Sequence, residues 1–376
     1  MDFQLTEGQT TVRELAEGVF ARHGDPQHLA EIEAGEERFD RRLWRDLAES
    51  GVLGLVVPAE HDGAGLGLSE FGLALIEQGR RVPLVPLWET VVLGALPLIR
   101  YGTEKQQAIW LPRIAEGGAV LTAALEFLGA GRPSTTAGRA GGADGANSTD
   151  GWEISGTCAS VPFGHLADAV VVPASTQSGA VELFLVETDQ PGVVRSGYER
   201  TDRGRSADLR LASAYAQRLG IDDPSEDPVS WLLQRAWIGL AALQLGVSQE
   251  SVRQTADYLS HRHQFGVPLA TFQAAAHQAA NCHIDTEAME VTFWNALWRQ
   301  ETDRPAVAAA HTAKWWAADA GDRVARTVQH LHGGLGADVT YPIHRYMLWS
   351  SQLANTLGSA SFHLHRIGTQ IAGGTA

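Results

Sequence analysis

Apolar residues recur at helical spacing through the first third of the chain. Leu43, Leu47 and Leu53, then Phe71, Leu75 and Ile76, mark two amphipathic stretches. Between them the loop Val57-Pro58-Ala59-Glu60-His61-Asp62-Gly63-Ala64-Gly65-Leu66-Gly67 breaks the period with Pro and Gly. Residues 1 to about 120 are therefore predicted to be an α-helical domain. From 121 to 224 the texture changes to short β-prone runs, Val170-Val171-Val172 and Val181-Glu182-Leu183-Phe184-Leu185-Val186, divided by Gly-rich turns, which predicts a small β domain. Gly138 to Asp150 reads as a long hairpin loop, because strand-like sequence resumes at Trp152. The acidic break Asp222-Asp223-Pro224-Ser225-Glu226-Asp227-Pro228 has the character of a helix start. Beyond it, 225–376 is predicted to be helical to about Ile371. No internal repeat is evident.

Composition narrows the function. With 376 residues and 44% hydrophobic content, the chain can bury a large core spread over two or three packed units. A net charge of -15 argues against nucleic acid as a partner, since phosphate binding needs clustered Lys and Arg. Cys158 and Cys282 cannot form a disulfide framework and have no ligand neighbours at metal spacing, which fits a reducing cytoplasm. No run of about 20 apolar residues is present to span a bilayer. His311, His330, His332, His344, His363 and His365 invite a metal or acid-base reading. The rings of His363 and His365 project from different helix faces, however, and no carboxylate cluster accompanies them, so no metal is expected. The tryptophans at 231, 237, 294, 298, 315 and 316 fall within helical patterns and read as packing residues. Glu250 and Asp257 lie near the segment that carries most of the chemistry, but helical spacing gives no reason to aim either at a substrate.

That segment is Arg262-His263-Gln264-Phe265-Gly266-Val267-Pro268-Leu269, followed by Phe272-Gln273. It resembles the Arg-x-x-Phe-Gly-x-x-Leu-x-x-x-Gln run of the acyl-CoA dehydrogenase family. Other segments are similar to family landmarks in the family order: Gly51-Val52-Leu53-Gly54-Leu55-Val56-Val57-Pro58, Asp150-Gly151-Trp152-Glu153-Ile154-Ser155-Gly156, Ala167-Asp168-Ala169-Val170-Val171-Val172, and His332-Gly333-Gly334-Leu335-Gly336 with Tyr341-Pro342. The resemblance covers nearly the whole chain. It implies an α+β fold of three domains: an N-terminal α-helical domain (1–120), a middle antiparallel β-barrel or sandwich (121–224) and a C-terminal four-helix bundle (225–376).

The family removes a proton next to a thioester carbonyl with a carboxylate and passes a hydride to FAD. By the resemblance, the carboxylate's place is taken here by Leu357, in the run Asn355-Thr356-Leu357-Gly358-Ser359-Ala360. The position that some relatives use on an earlier helix is matched to Gln234, in Gln234-Arg235. Neither side chain has useful basicity, so no catalytic residue is expected on this chain. The flavin's own-subunit contacts look eroded too. A Thr-Glu-Pro-Gly-Ala-Gly-Ser-Asp run is replaced by Leu125-Glu126-Phe127-Leu128-Gly129-Ala130-Gly131-Arg132, and a Trp-Ile-Thr run by Ser160-Val161-Pro162, whose Pro has no backbone donor.

The residues that reach across a subunit interface to a neighbour's FAD remain: Arg262, Phe265 and Gln273, with Gly333, Gly334 and Gly336. Gln329 is the candidate for a further contact, since His330 stands where the family has Gln. Arg suits a pyrophosphate, and Gly admits close backbone approach. The combination resembles the base-lacking subunit of actinobacterial heterotetrameric acyl-CoA dehydrogenases that act on steroid side-chain CoA thioesters, a likeness that extends to His344-Arg345-Tyr346. It implies a Glu-bearing partner subunit in an α2β2 assembly, FAD as cofactor and an acyl-CoA substrate. Two other readings stand beside it: a self-sufficient homotetramer with an unrecognised base, and an acyl-CoA-binding scaffold without redox chemistry.

Overall fold

The computed structural model describes residues 4–140, 151–220 and 226–373. Most of the expected Gly138–Asp150 loop and of the acidic break at 222–225 lie outside the described residues.

Six helices come first: α1 (Glu7–Ala21), α2 (Pro26–Ala34), α3 (Arg41–Glu49), α4 (Leu68–Arg81), α5 (Leu96–Tyr101) and α6 (Glu104–Ala115). Local chemistry sets their starts. Thr6 and Thr103 close capping boxes with Gln9 and Gln106, and Asp25 and Asp40 accept two backbone N–H bonds each at the starts of α2 and α3. A π-helical segment, Glu89–Ala95, leads into α5 and is buried along its whole length. A bulge of this kind departs from regular helix geometry in a way that often marks a functional region.

Seven strands follow: β1 (Leu121–Ala123), β2 (Thr136–Arg139), β3 (Gly151–Pro162), β4 (Ala169–Ser175), β5 (Val181–Glu187), β6 (Val193–Glu199) and β7 (Arg205–Arg218). The pairings β2–β3, β3–β7, β7–β5, β5–β4 and β4–β2 close a ring, with β6 added to β7 and β1 to β4. The ring is antiparallel except where β4 meets β2, and β1 joins β4 in parallel. Alternate residues Ile154, Val170, Val172, Phe184, Val186, Leu209 and Leu211 point inward and fill it. Both cysteines are buried and free, and burial pushes the Cys158 thiol up to about 12.

The C-terminal helical domain comprises α7 (Pro228–His261), α8 (Gln273–Glu301), α9 (Val307–His332), α10 (Ile343–Asn355) and α11 (Ala360–Ala372), with a small hairpin of β8 (His263–Gln264) and β9 (Val267–Pro268) between α7 and α8. Asp227 caps α7 by accepting from Val229 N and Ser230 N, and Pro228 occupies the first helical position. The central part of α7 is buried without a break from Ala236 to Ser248. It crosses α4 closely because both helices carry glycine there: a Cβ on Gly246 would stand 1.9 Å from the Ile76 carbonyl, and one on Gly79 would stand 2.1 Å from that of Leu243. One hydrophobic core runs through both helical domains and under the β domain. None of the described helices is long and apolar enough to cross a membrane.

Candidate functional site

Leu357 lies in the turn between α10 and α11. It is 3% exposed and holds φ at +53°, a left-handed conformation that a branched side chain adopts only when its surroundings enforce it. They do so from several sides. Leu357 N donates to Glu126 Oε1 at 3.1 Å, and the Leu357 carbonyl accepts from Trp237 Nε1 at 2.9 Å, with His363 Nε2 3.2 Å away. Lys314 Nζ, fully buried on α9, donates to the carbonyls of Leu353 (3.0 Å), Ala354 (3.4 Å) and Gly358 (3.2 Å). Burial raises the Glu126 carboxyl above its ordinary value, against the pull of the Leu357 N–H and the Lys314 and Arg200 charges. Burial also pushes the Lys314 ammonium down to about 7, which Glu126 opposes.

A second set of charges fills the adjoining space. Arg200 Nη2 meets Asp202 Oδ2 at 2.6 Å, Arg200 Nη1 lies 3.8 Å from Glu89 Oε1 on the π-helical segment, and the guanidinium covers the Phe163 ring at 5.7 Å. Burial opposes the Arg200 charge, yet Asp202 and Glu89 hold its pKa above the ordinary value. Burial drives Glu89 up to about 7, with Arg200 pulling the other way. The cavity bounded by Trp88, Glu126, Pro162, Arg200 and Leu357 has a volume of only about 20 Å³, and the one on the other side of Arg200, beside Leu84 and Trp349, about 30 Å³. Each has room for little more than a water molecule, whereas cofactor sites generally occupy about 300–1,000 Å³. The Ser160 N–H, at a kink in β3 where φ is +53°, already donates to Asp208 Oδ1 at 2.9 Å. Pro162 offers no donor.

Gln234, the second expected base position, is not brought to Leu357. It lines a separate open cavity with Arg100, Glu226, Trp231, Arg235 and Arg304, and its amide donates to the Ser230 carbonyl at 3.2 Å. Trp237, three residues on and nearly one turn further along much the same face of the helix, reaches the Leu357 turn instead. Glu250 is paired with Arg253 at 2.7 Å and Asp257 is exposed beside His261. Arg345 is buried against Glu33 at 2.6 Å, joining the two helical domains.

The expected grip residues gather at the other end of α7. Arg262 caps the helix with extended backbone, and its guanidinium makes no hydrogen bond or ion pair among the described residues. Phe265 and Gly266, both at positive φ (+55° and +84°), form the two-residue loop of the β8–β9 hairpin, the twist that such a tight connection needs. That loop leaves Phe265 93% exposed, edge-on to Phe272 at 6.2 Å, and Gln273 opens α8 with its side chain in solvent.

His332 ties this end to the glycine turn after α9. Its Nε2 lies 3.2 Å from Thr255 Oγ1 and its ring stacks on Tyr258 at 4.3 Å, while burial pushes it down to about 4, so it stays neutral. Gly333 has φ +61° and ψ -137°, a combination confined to glycine, and a Cβ on Gly333 or Gly334 would meet nothing within 4 Å. The backbone there is open to a ligand. Gly336 is different: it is buried, a Cβ would stand 2.4 Å from the Gln329 carbonyl, and Gln329 Nε2 donates to its carbonyl at 3.3 Å. Gln329 and Gly336 thus brace the turn from within, and His330 is exposed.

Comparison with known proteins decides the family. Residues 6–118 match the N-terminal domain of acyl-CoA dehydrogenase, and 229–372 match its C-terminal domain. The chain belongs to the acyl-CoA dehydrogenase family. Members of this family are FAD-dependent oxidoreductases. Acyl-CoA dehydrogenase FadE27 of Mycobacterium tuberculosis is 35% identical across 99% of both chains, and acyl-CoA dehydrogenase FadE28 of the same organism is 32% identical over 87% of this chain and 91% of its own. Among solved structures, a Tcur3481-Tcur3483 steroid ACAD variant superposes with a TM-score of 0.91 at 43% identity over 98% of both chains. A chain of the ChsE4-ChsE5 complex from Mycobacterium tuberculosis does so with a TM-score of 0.91 at 36% identity over 99% of both.

Against that family, half of an FAD site fits the residues present. The free guanidinium of Arg262 and the open backbone of Gly333 and Gly334 suit a pyrophosphate approaching from outside the chain. The space beside Leu357 does not suit an isoalloxazine ring. Glu126, Arg200, Lys314 and Glu89 were not singled out from sequence, because nothing in a lone Glu or Arg on a loop tells whether it turns inward. The one available signal was Lys314 in an otherwise Ala-rich helical stretch.

Proposed function

We propose that this chain is the non-catalytic subunit of a hetero-oligomeric, FAD-dependent acyl-CoA dehydrogenase, and that it completes the flavin site of a Glu-bearing partner in an α2β2 assembly. The observation that carries this reading is the contrast between a filled cavity at Leu357 and an exposed, uncommitted Arg262. When bound, the flavin accepts the hydride from the acyl chain. This chain's part is to bind and orient: the Arg262 fork takes the pyrophosphate, Gly333 and Gly334 bring backbone N–H groups to it, and Phe265, Gln273 and Gln329 shape the adenine end. No side chain at Leu357 holds a proton acceptor over substrate. The substrate we propose is a steroid side-chain CoA thioester, by likeness to the steroid enzymes among the relatives.

Glu126 supports a second reading, a self-sufficient enzyme whose base is this buried carboxylate with its raised pKa. It is disfavoured because Glu126 already accepts the Leu357 N–H, feels the nearby Lys314 charge, and lines a cavity of only about 20 Å³. Co-expression with a Glu-bearing partner separates the two. Turnover of acyl-CoA with an artificial electron acceptor should vanish when the partner's Glu is replaced by Gln and persist in Glu126→Gln. The opposite pattern would make Glu126 the base.

A further inference from the structure

A cluster in the N-terminal domain has no part in that chemistry. His23 follows α1, His28 lies on α2, and Asp40 caps α3; one ligating atom from each falls within 4.8 Å of the other two. This is the one such group found among the described residues. Asp40 is 1% exposed, His23 is 7% exposed, and His28 is partly covered. The two oxygens of Asp40 are divided in their work. Oδ1 accepts from the N–H groups of Arg42 (3.1 Å) and Leu43 (3.0 Å), while Oδ2 faces His28 Nε2 at 2.5 Å and His23 Nδ1 at 3.7 Å.

The orientation of His23 is fixed from behind. Its Nε2 lies 2.9 Å from Asp46 Oδ2, and a carboxylate can only accept, so Nε2 carries the proton. With only Nε2 protonated, the ring presents its Nδ1 lone pair to Asp40 Oδ2 3.7 Å away, a pairing that a cation placed between them would satisfy. Three ligating atoms from three elements converge on one point, whereas a single proton would need only two. A carboxylate behind a histidine is also the usual outer-shell partner that orients an imidazole toward a metal.

We propose that His23 Nδ1, His28 Nε2 and Asp40 Oδ2 bind a divalent transition metal of the zinc class, with water as the fourth ligand. Such a set needs ligand bonds of about 2.0–2.2 Å, so Asp40 Oδ2 and His28 must part slightly and His23 must close in. The ion would tie α1, α2 and α3 together. It would also steady the edge of the cavity beside Arg200, because Asp40 N donates to the carbonyl of Leu84, a residue that lines it.

From the sequence no metal is expected, because only the fold brings His23, His28 and Asp40 together from three separate elements.

The test uses the full-length chain, stripped with chelator and titrated with Co(II) or Zn(II). The expected result is one Co(II) per chain with a tetrahedral d–d absorption band, displaced by Zn(II), and a melting temperature that rises with added metal. Asp40→Asn keeps a good cap residue on α3 but removes the anionic ligand, and His28→Gln removes a nitrogen. Both should weaken Co(II) binding at least tenfold. Absence of the band in the wild type, or the same band and the same metal-dependent stabilisation in Asp40→Asn, would overturn the proposal and leave a hydrogen-bonded clasp. The wild-type titration decides even if a variant fails to fold.

Discussion

The two ends of α7 contrast sharply. Toward its N-terminus, Trp237 reaches a turn in which the main chain of Leu357, the carboxylate of Glu126 and the ammonium of Lys314 are all engaged, with Arg200 closing the remaining space. Beyond its C-terminus, the Arg262 guanidinium makes no hydrogen bond or ion pair among the described residues, and Phe265 stands in solvent apart from its edge contact with Phe272. On the proposed function, the first region serves structure and the second serves a flavin held by a partner subunit.

The largest expected effect comes from forcing chemistry back into the filled region. Leu357→Glu should destabilise the fold by about 3–5 kcal/mol, as an uncompensated charge beside Glu126 would, and should yield no turnover in the isolated chain. Denaturant melts and an acceptor-coupled assay measure both. A stable, active variant would mean that the region can still house a flavin ring and that the contrast is false.

At the exposed end, Arg262→Ala in the co-expressed complex should weaken FAD binding by about 1.5–3 kcal/mol, typical of lost charge-assisted bonds. Flavin release during dialysis, compared with wild type, measures it, and an unchanged affinity would leave the guanidinium without a role.

Acid titration sharpens the comparison inside the filled region. His311 and His363 share a contact of 2.9 Å between their Nδ1 atoms, and burial pushes them down to about 4 and about 3. Their folded-state values lie below the ordinary value of 6.5, so the unfolded chain binds protons first and stability falls as pH drops below about 6.5. Glu89 has the opposite sign. Its folded value near 7 lies above the ordinary 4.5, so stability falls as pH rises between the two. Replacing His363 by Gln should therefore flatten the loss of stability between pH 6.5 and 5 by about 1–2 kcal/mol, and Glu89→Gln should steepen it. Urea melts across that range read both slopes, and equal slopes in all three proteins would remove the burial argument.

The smallest effect lies where the chain's own stability has nothing at stake. Phe265→Ser should leave the melting point of the isolated chain unchanged within about 0.5 kcal/mol while loosening flavin in the complex. A large loss in the isolated chain would show that Phe265 packs at home.

The α, β, α order was legible because it rests on periodicity, and the Asp227-Pro228 start of α7 because capping is local chemistry. The Arg262–Gln273 segment is noticed in the sequence only through its family motif; that Phe265 and Gly266 turn a tight hairpin at positive φ is seen in the fold. Gln234 lies nearly one turn before Trp237, and the sequence does not say which turn of α7 meets the Leu357 loop; in the structure it is the turn of Trp237. The interior of the Leu357 region was not legible at all. Glu126 lies 231 positions from Leu357 in sequence, and only the closed fold determines that its carboxylate ends on that backbone N–H. Arg200 and Glu89 were hidden in the same way, since only the fold brings them within 3.8 Å of each other.

The flavin-to-protein ratio, measured by absorbance on the isolated chain and on the complex purified with its partner, tests the division between the two ends most directly. The expected result is a colourless isolated chain and one FAD per heterodimer. One FAD per polypeptide in either preparation would contradict it.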